Sequence, residues 1–553
     1  MLLLALHIPF AAAAPDHTAG DARTAQVDAL FSAWAKADSP GCVTGVMSQG
    51  KLLYAQGYGL ADVARGITLS PDTVFDIASM TKQFTAATIG LLMLDRKLAL
   101  TDDVRVRFPE LPIDVPITLG NLIHHESGIR DYTELNALRG VEAIDNRGVV
   151  TLLARQRGLD FPPGSQFAYS NSNYVLLAEL TQRVSGQSLA SVSRTRIFDP
   201  LQMHSTRYAA SLKEDPARLA NSYFPSEPDK FVAVPRDTQT VGDGNLLTTV
   251  RDLARWDENF YTNRVGGKTL SQLMRTAGAL PSGERVPYGF GLMFGEYRGI
   301  PIESHGGSYH GFRTELLRFP RQHFSVSVLC NVASANAFGL ATQIADIYLV
   351  DVLQPPPTLG KTPIEVKIDP EVFDAYVGEY LIETNGQFNV LRFARQDGRY
   401  FALPIGQSPA EVFALSESEF FPKGDDVKMI FSREKDGAVS RVTLHRAQGD
   451  LVGLRITVPT AGQELLTQLA GTYYSQEADT EMRLEVLGEQ MVANVGRNQP
   501  FALLQVSDSS FAIPGGGALQ FNRDPDGSIS GLIFSSSRIR KLPFVRKSKS
   551  SER

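Results

Sequence analysis

The sequence predicts an α/β (α+β) domain, an antiparallel sheet with an inserted helical subdomain, followed by two all-β antiparallel barrel domains. Three observations lead to this prediction. Strand-like runs stand at both ends of residues 22–352, helical periodicity fills the stretch between them, and short alternating strands beyond residue 369 repeat once. The length of 553 residues is enough for roughly three or four domains.

The predicted sheet of the first unit draws its strands from both ends of that unit. A hairpin is expected at 41–59, turning at Gln49-Gly50, and a helix at 337–349 follows the last strand. The later strands are expected at 290–297, 300–305, 312–319 and 324–330. Between 98 and 255 the periodicity is helical, for example at 175–184 and 246–260.

A proline-rich linker, residues 353–368, separates this unit from two related β units, 369–455 and 462–547. The repeat is visible in matching residues: Gly378-Glu379-Tyr380 recurs as Gly471-Thr472-Tyr473, and Phe431, Arg433, Asp436 and Gly437 recur as Phe521, Arg523, Asp526 and Gly527. A period of about 90 residues is too long for a solenoid and suits tandem barrels.

Composition and charge exclude several classes of protein. The 54 basic and 60 acidic residues give a net charge of −6, so the sequence has no basic surface of the kind that binds nucleic acid.

Residues 1–14, Met1 to Ala14, look like a signal remnant, so we expect a periplasmic or secreted protein. No later run suggests a membrane span. The basic residues from Arg538 to Arg553 are expected to form a solvated tail.

The two cysteines, Cys42 and Cys330, both lie in apolar strand-like segments. Two cysteines provide neither a disulfide framework nor a cysteine-based zinc site. We expect two buried thiols, and leave a disulfide open because the two strands could pair antiparallel.

Ser79-Met80-Thr81-Lys82 precedes the apolar helical run from Phe84 to Leu94. A serine and a lysine three residues apart on a helix share one face, so the lysine can help to remove the serine proton. A serine at the start of a helix also lies at the positive end of the helix dipole, which favours a developing alkoxide. By itself this short pattern also fits a helix start with an exposed lysine.

Two further polar clusters follow along the chain. In Tyr169-Ser170-Asn171, a tyrosine beside a lysine ammonium can accept a serine proton as its phenolate, and Asn171 can orient a substrate carbonyl and hold Lys82. In His305-Gly306-Gly307-Ser308, the glycines allow close approach of a substrate and leave an N–H free for an oxyanion. Each cluster alone also fits an ordinary loop or turn.

Taken in this order, Ser-x-x-Lys, Tyr-x-Asn and His-Gly-Gly resemble the serine β-lactamase and penicillin-binding-protein superfamily, in its class C-like, D-aminopeptidase-like three-domain branch. The resemblance implies a β-lactamase/transpeptidase-like fold over residues 22–352. It also implies that Ser79 is acylated, that Lys82 and Tyr169 share the proton, that Asn171 and His305 line the substrate site, and that Gly307 and the N–H groups of Ser79 and Ser308 serve the oxyanion hole.

Two departures bear on the substrate. His305 stands where many relatives have lysine, and a neutral imidazole attracts a substrate carboxylate less than an ammonium does. In D-aminopeptidases a loop of the last barrel is understood to reach the cleft. The corresponding bend here, Gly496-Arg497-Asn498-Gln499-Pro500, is short, which argues against such a gate.

The resulting hypothesis is a serine hydrolase without cofactor or metal, acting through an acyl-enzyme on a D-alanyl-type peptide or amide, or on a small ester. A β-lactamase or D,D-carboxypeptidase activity is the alternative, and a non-catalytic binding or scaffold protein of the same fold is a third hypothesis. His124-His125-Glu126 is assigned to loop structure, since it lacks the spacing of a zinc helix. The expected partner is a small-molecule or peptide substrate, and a homodimer is left open.

Overall fold

The computed structural model describes residues 22–140, 143–209, 218–227, 230–237, 239–355, 365–384, 387–423, 427–446, 449–458 and 462–548. The predicted signal remnant, Met1 to Ala14, and most of the predicted linker lie outside the described residues.

The helices are, in chain order, α1 (Ala22–Leu30), α2 (Lys82–Leu94), α3 (Leu119–Ile123), α4 (Tyr132–Arg139), α5 (Asn146–Leu153), α6 (Asn171–Ser185), α7 (Leu189–Ser193), α8 (Val250–Thr262), α9 (Gly267–Met274), α10 (Ala337–Tyr348), α11 (Pro370–Asp374) and α12 (Gln463–Leu469). Short 3₁₀ turns occur at Ala78–Thr81, Val104–Val106 and Pro320–Gln322, and Arg194–Phe198 forms a π-helical turn.

The strands of the first unit are β1 (Cys42–Ser48), β2 (Lys51–Tyr58), β3 (Leu60–Asp62), β4 (Ile67–Thr68), β5 (Phe75–Asp76), β6 (Arg207–Tyr208), β7 (Ser222–Glu227), β8 (Lys230–Val234), β9 (Leu246–Thr248), β10 (Met293–Tyr297), β11 (Ile300–Tyr309), β12 (Phe312–Phe319) and β13 (Phe324–Cys330).

The strands of the two β units are β14 (Gly378–Thr384), β15 (Gln387–Gln396), β16 (Arg399–Pro404), β17 (Ala410–Ala414), β18 (Glu419–Pro422), β19 (Val427–Arg433), β20 (Val439–Arg446), β21 (Leu451–Ile456), β22 (Gly471–Ser475), β23 (Thr480–Leu487), β24 (Gln490–Val495), β25 (Phe501–Ala502), β26 (Leu504–Ser507), β27 (Ser510–Ala512), β28 (Ala518–Arg523), β29 (Ile529–Ser535) and β30 (Leu542–Arg546).

The main sheet of the first unit is antiparallel, with strand order β10-β11-β12-β13-β1-β2. Side chains of β1 alternate between its two faces, and both faces are buried. Val46 packs with α1 and α10 on one face, whereas Val43 and Met47 join the core around α2 and α8 on the other. The predicted sheet with its inserted helices is therefore confirmed.

The two cysteines form a disulfide, so the expectation of two free buried thiols was wrong. Strands β1 and β13 pair antiparallel with Cys42 opposite Cys330, which brings their Cα atoms to 3.9 Å. The register of the sheet, which depends on residues 288 positions apart, decides this pairing.

One predicted helix begins later than its apolar pattern suggested. Leu246–Thr248 is strand β9, which pairs with β5 just before the Ser79 turn. Helix α8 then starts at Val250, where the Thr249 hydroxyl accepts a hydrogen bond from the Asp252 N–H at 3.2 Å. Strand β9 thereby helps to fix the segment that carries Ser79.

The C-terminal units confirm the predicted all-β barrels and their internal repeat. Strands β14–β21 form a closed barrel, and β22–β30 form a nine-stranded sheet whose outer strands, β25 and β26, adjoin in sequence. The copies share contacts: Tyr380 Oη donates to Tyr376 O and Tyr473 Oη to Leu469 O, while Arg433 donates to Gly437 O and Arg523 to Gly527 O.

The second barrel packs against the helical insert of the first unit. Buried Arg130 forms ion pairs with Asp160 and with Glu477 of the barrel. The bend at 496–500 contacts helix α4, where Asn498 Nδ2 donates to Ala137 O at 2.7 Å. This bend does not line the cavity that holds Ser79; a different barrel loop does, as described below.

Candidate active site

The backbone before Ser79 is turned sharply by its neighbour. Ala78 has φ 48°, a left-handed conformation that is unfavourable for a residue with a side chain and is often found at functional positions. Its N–H donates to Asp76 Oδ1 at 2.9 Å, and Asp76 is ion-paired with Arg236 at 3.1 Å. This buried pair stabilises the turn that places Ser79 in the cavity.

Lys82 is completely buried one turn after Ser79. Its Nζ donates to Ser79 Oγ at 3.2 Å, to Asn171 Oδ1 at 2.8 Å and to the carbonyl oxygen of Asp243 at 2.8 Å. Three acceptors match the three N–H bonds of an ammonium group. The Nζ also lies 4.9 Å from the centre of the Tyr169 ring.

The Tyr169–Asn171 loop is positioned by groups that lie about forty residues earlier. Asp131 Oδ2 accepts hydrogen bonds from Asn171 N at 2.8 Å and Asn171 Nδ2 at 3.0 Å. His125 stacks beside Tyr169, with ring centres 4.3 Å apart, and its Nδ1 accepts from Ser170 N. Burial, with the nearby Lys82 charge, holds the pKa of His125 well below its ordinary value. This histidine is a structural support of the site.

His305 is buried and neutral rather than a cation that faces the substrate. Its Nε2 lies 2.9 Å from the Tyr288 hydroxyl. Burial, reinforced by Lys82, lowers the pKa of His305 to about 3. The site therefore lacks, at this position, the positive charge that a lysine would bring.

Gly307 permits the close approach between strand β11 and the Ser79 turn. A Cβ at this position would lie 2.2 Å from Ile77 O and 3.0 Å from Ala78 Cβ. Ser308 follows at the exposed edge of the strand. Both residues line the same cavity as Ser79. Backbone N–H groups from two such segments are the donors that an oxyanion hole uses.

The structure brings the predicted site residues into one cavity of about 1320 Å³. Its walls include Ser79, Tyr169, Asn171, His305, Gly307 and Ser308, while Lys82 lies directly behind Ser79. Residues of all three polar clusters are thus brought together by the fold, as the sequence hypothesis requires.

Three residues of the site were missed by the sequence analysis: Asp131, Asp243 and Arg538. Arg538, between β29 and β30 of the second barrel, also lines the cavity. Its Nη1 lies 3.5 Å from Asp131 Oδ2 and its guanidinium 5.5 Å from the Tyr169 ring centre. The expectation of a solvated tail from Arg538 onward was therefore wrong as far as Arg546, since Arg540 also bonds Asp160 and Gln166 and Leu542–Arg546 forms strand β30. No local signal in the sequence marks these long-range contacts.

Neither a metal cluster nor a membrane-crossing helix is found in the described ranges. Those ranges contain no group of three or more His, Cys, Asp or Glu side chains able to hold a metal ion. Within them, every helix is too short or too polar to cross a bilayer.

Curated relatives align with much or nearly all of the chain. A D-aminopeptidase from Gluconobacter oxydans is 30% identical over 59% of this chain and 62% of its own length. D-aminopeptidases from Brucella anthropi and Cereibacter sphaeroides are 27% and 24% identical, over 89% and 92% of this chain and 92% and 96% of their own.

Solved structures share the fold at lower identity. The octameric penicillin-binding protein homologue from Pyrococcus abyssi aligns with a TM-score of 0.56 at 21% identity, over 78% of this chain and 99% of that chain. A D-amino acid amidase from Ochrobactrum anthropi SV3, complexed with D-phenylalanine, aligns with a TM-score of 0.52 at 19% identity, over 60% and 100%.

The family profile described as Beta-lactamase matches residues 27–349, the sheet with its inserted helices and all the predicted site residues. This match confirms the resemblance and the fold class inferred from the three motifs. The chain belongs to the Beta-lactamase family.

Proposed function

We propose that this protein is a serine hydrolase that forms an acyl-enzyme at Ser79 and acts on a D-alanyl-type peptide or amide, or on a small ester. The observation that carries the proposal is the contact of Ser79 Oγ with buried Lys82, which is held in turn by Asn171. The relatives named D-aminopeptidase, which align over about nine-tenths of the chain, support a substrate with a D-amino acid.

The reaction follows from the arrangement of these groups. Ser79 Oγ attacks the substrate carbonyl while its proton passes to the Tyr169 and Lys82 pair, and the backbone N–H groups of Ser79 and Ser308 stabilise the oxyanion. The bond from the carbonyl carbon to the leaving nitrogen or oxygen then breaks, and the leaving group takes up the proton. Water hydrolyses the ester of Ser79 by the same route.

The hydrogen bonds of Lys82 favour Tyr169 as the group that first receives the proton. All three donors of Lys82 are used, one of them toward Ser79 Oγ, so an ammonium there cannot accept the serine proton. Its Nζ lies 4.9 Å from the centre of the Tyr169 ring, so its charge is close to the side chain that receives the proton.

A side-by-side substrate screen tests the proposal. Wild type, Ser79→Ala and the surface control Ser282→Ala are assayed on D-alanine p-nitroanilide, p-nitrophenyl acetate and a chromogenic cephalosporin, with mass mapping of a phosphonate adduct. We expect wild type and the control to hydrolyse the first two substrates and to be labelled at Ser79. We expect Ser79→Ala to show neither hydrolysis nor label. Parental turnover by Ser79→Ala would contradict the acyl-enzyme.

The same screen separates the alternatives. Preferred turnover of the cephalosporin would favour a β-lactamase, and stable acylation of Ser79 by the cephalosporin without turnover would favour a D,D-carboxypeptidase. Absence of both label and turnover would favour a binding protein. The neutral His305 argues against strong recognition of a free carboxylate at its position.

We also infer a periplasmic or secreted location. The disulfide between Cys42 and Cys330 supports it, because such bonds persist mainly in oxidising compartments. A homodimer remains a proposal, to be tested by sedimentation. The octameric Pyrococcus abyssi homologue makes higher assemblies a second outcome to be measured.

A further inference from the structure

The active-site cavity extends to both faces of strand β11. Successive residues of a strand point to opposite faces. Gly307 faces the Ser79 turn, whereas a Cβ on Gly306 would lie 2.7 Å from Glu315 Oε2, on the reverse face. Glu315 lies opposite Gly306 in strand β12, and it lines the same cavity as Ser79.

Glu315 is a buried acid that the mechanism does not use. Glu315 is only 5% exposed. Its carboxyl group forms no hydrogen bond or ion pair with the described residues, and Oε1 is fully enclosed and unpaired. Burial alone raises the pKa of this carboxyl to about 8. An unpartnered buried carboxyl is costly, which makes it a candidate for ligand recognition.

The face of the sheet that carries Glu315 also presents apolar side chains to the cavity. Ile302 lies on the same face of β11, and Met293 and Phe338 line the cavity nearby. Met293 is 43% and Phe338 44% exposed, so two large apolar side chains remain open to a ligand. Such a lining suits a hydrocarbon stem that leads to a polar end group.

Arg313 is the other charged residue on this face of β12, opposite Ser308. Its Nη1 donates to the carbonyl oxygens of His310 and Phe312, at 2.7 and 2.8 Å, beside the turn between β11 and β12. Its guanidinium is therefore anchored at the hairpin end and does not pair with Glu315.

Strand β11 has an edge that can receive an extended ligand. Strand β10 pairs with Ile300–Ser304, and among the described residues no strand pairs with His305–Tyr309 on that side. A peptide that adds to such an edge places alternate side chains on the two faces of the sheet. One side chain would then lie near Ser79 and the next on the Glu315 side.

We propose that the cavity behind β11 is a subsite for an alkylamine side chain of an extended peptide substrate, with the stem against Met293, Phe338 and Ile302 and the primary ammonium at Glu315. The proposal rests on the proposed peptide or amide hydrolase function and names a substrate feature for it. An ammonium would pair with the carboxylate form of Glu315 in a charge-assisted hydrogen bond.

Matched dipeptide amides test this subsite. D-alanyl-lysine amide and D-alanyl-norleucine amide have the same four-carbon stem and differ in the terminal ammonium. In wild type we expect kcat/KM for the lysine compound to exceed that for the norleucine compound by about tenfold or more. In Glu315→Gln the ratio should fall to within about twofold, and the surface control Glu284→Gln should retain the wild-type ratio.

A binding measurement keeps the subsite separate from the proposed function. Calorimetric Kd values of both dipeptides are measured on Ser79→Ala and on Ser79→Ala with Glu315→Gln. If wild type cleaves neither dipeptide, the D-alanyl peptide function fails, while a lysine preference in Kd that needs Glu315 still supports the subsite. Equal affinities in Ser79→Ala, or a preference that survives Glu315→Gln, overturn it.

Two further variants cover a failure of Glu315→Gln to fold. Glu315→Asp keeps the charge but withdraws it by one methylene, and should lower the lysine-to-norleucine ratio. Phe338→Ala removes exposed stem contact and should weaken both dipeptides alike, leaving the ratio unchanged. A ratio that Glu315→Asp leaves intact and Phe338→Ala abolishes would contradict the assignment of the ammonium to Glu315.

Discussion

At the scale of single residues, the site depends on buried polar groups that hold other groups in place. Ser79 and Lys82 could be predicted from the sequence because one helical turn brings them together. Asp131 and Asp243 could not, because they reach Asn171 and Lys82 across 40 and 161 residues through tertiary packing. Their neighbours in sequence give no sign of those contacts.

Asp131→Asn should impair catalysis without unfolding the protein. At present a carboxylate oxygen of Asp131 accepts hydrogen bonds from two N–H groups of Asn171. In the variant these groups would face either the N–H donors of the new amide or its neutral oxygen, which is a weaker acceptor. We expect kcat on p-nitrophenyl acetate to fall about tenfold or more, with a smaller change in KM. Asp145→Asn, at the surface cap of α5, is the matched control. An unchanged kcat in Asp131→Asn would remove Asp131 from the positioning of Asn171.

His305→Gln should make the protein less sensitive to acid. The pKa of His305 is lowered to about 3, so the unfolded chain binds this proton more readily than the folded one. Above the pKa of the unfolded histidine, about 6.5, this group makes no pH-dependent contribution to the free energy of unfolding. As the pH falls below that value the free energy of unfolding decreases, by about 2 kcal/mol at pH 5.

The measurement is Tm at pH 7 and pH 5. Wild type and the surface control His204→Gln should lose more Tm on acidification than His305→Gln. A fall in Tm that is the same in all three proteins would show that His305 does not contribute to the acid sensitivity.

At the scale of elements, the sheet and helices were largely predictable, because apolar periodicity and turn residues report local structure. Register was not. The pairing of Cys42 with Cys330 depends on which residues of two distant strands meet, and the pairing of Gly306 with Glu315 depends on where the turn between β11 and β12 falls. The early end of the predicted 246–260 helix became β9 because it pairs with β5, a contact outside any local window.

Gly307→Ala tests the approach of β11 to the Ser79 turn. Its Cβ would meet Ile77 O at 2.2 Å, so the strand or the turn must move. We expect a loss of about 1–3 kcal/mol in stability and a marked fall in kcat. Gly295→Ala, in neighbouring β10, would meet Ile302 only at 3.6 Å and serves as the control. Thermal unfolding and ester kinetics give both readouts, and normal kcat in Gly307→Ala would contradict this account.

At the scale of the whole molecule, the second barrel contributes directly to the cavity. Arg538 enters the cavity between Asp131 and Tyr169, although more than 360 residues separate it from Tyr169 in sequence. The repeat predicted a second barrel, but the sequence could not indicate which of its loops would contact the first unit. Docking of separately folded units depends on surface shape and charge, which local patterns do not encode.

Arg538→Ala should lower kcat/KM on p-nitrophenyl acetate about three- to tenfold, because the charge beside Asp131 and Tyr169 is removed. Stability should change little, since the ion pair is partly exposed. Arg523→Ala, in a surface hairpin of the same barrel, should behave as wild type. Equal kinetics of the two variants would exclude a role of the barrel in the cavity chemistry.

The disulfide between Cys42 and Cys330 makes the polypeptide from β1 to β13 a covalently closed ring. That ring carries both the Ser79 turn and the β11 edge, as well as the whole helical insert. A protease cut in any loop of the insert would therefore leave the nucleophile and the oxyanion strand tethered to each other. Nicked protein should migrate as one chain on a non-reducing gel and separate into fragments only after reduction, so activity could outlast the first cleavage.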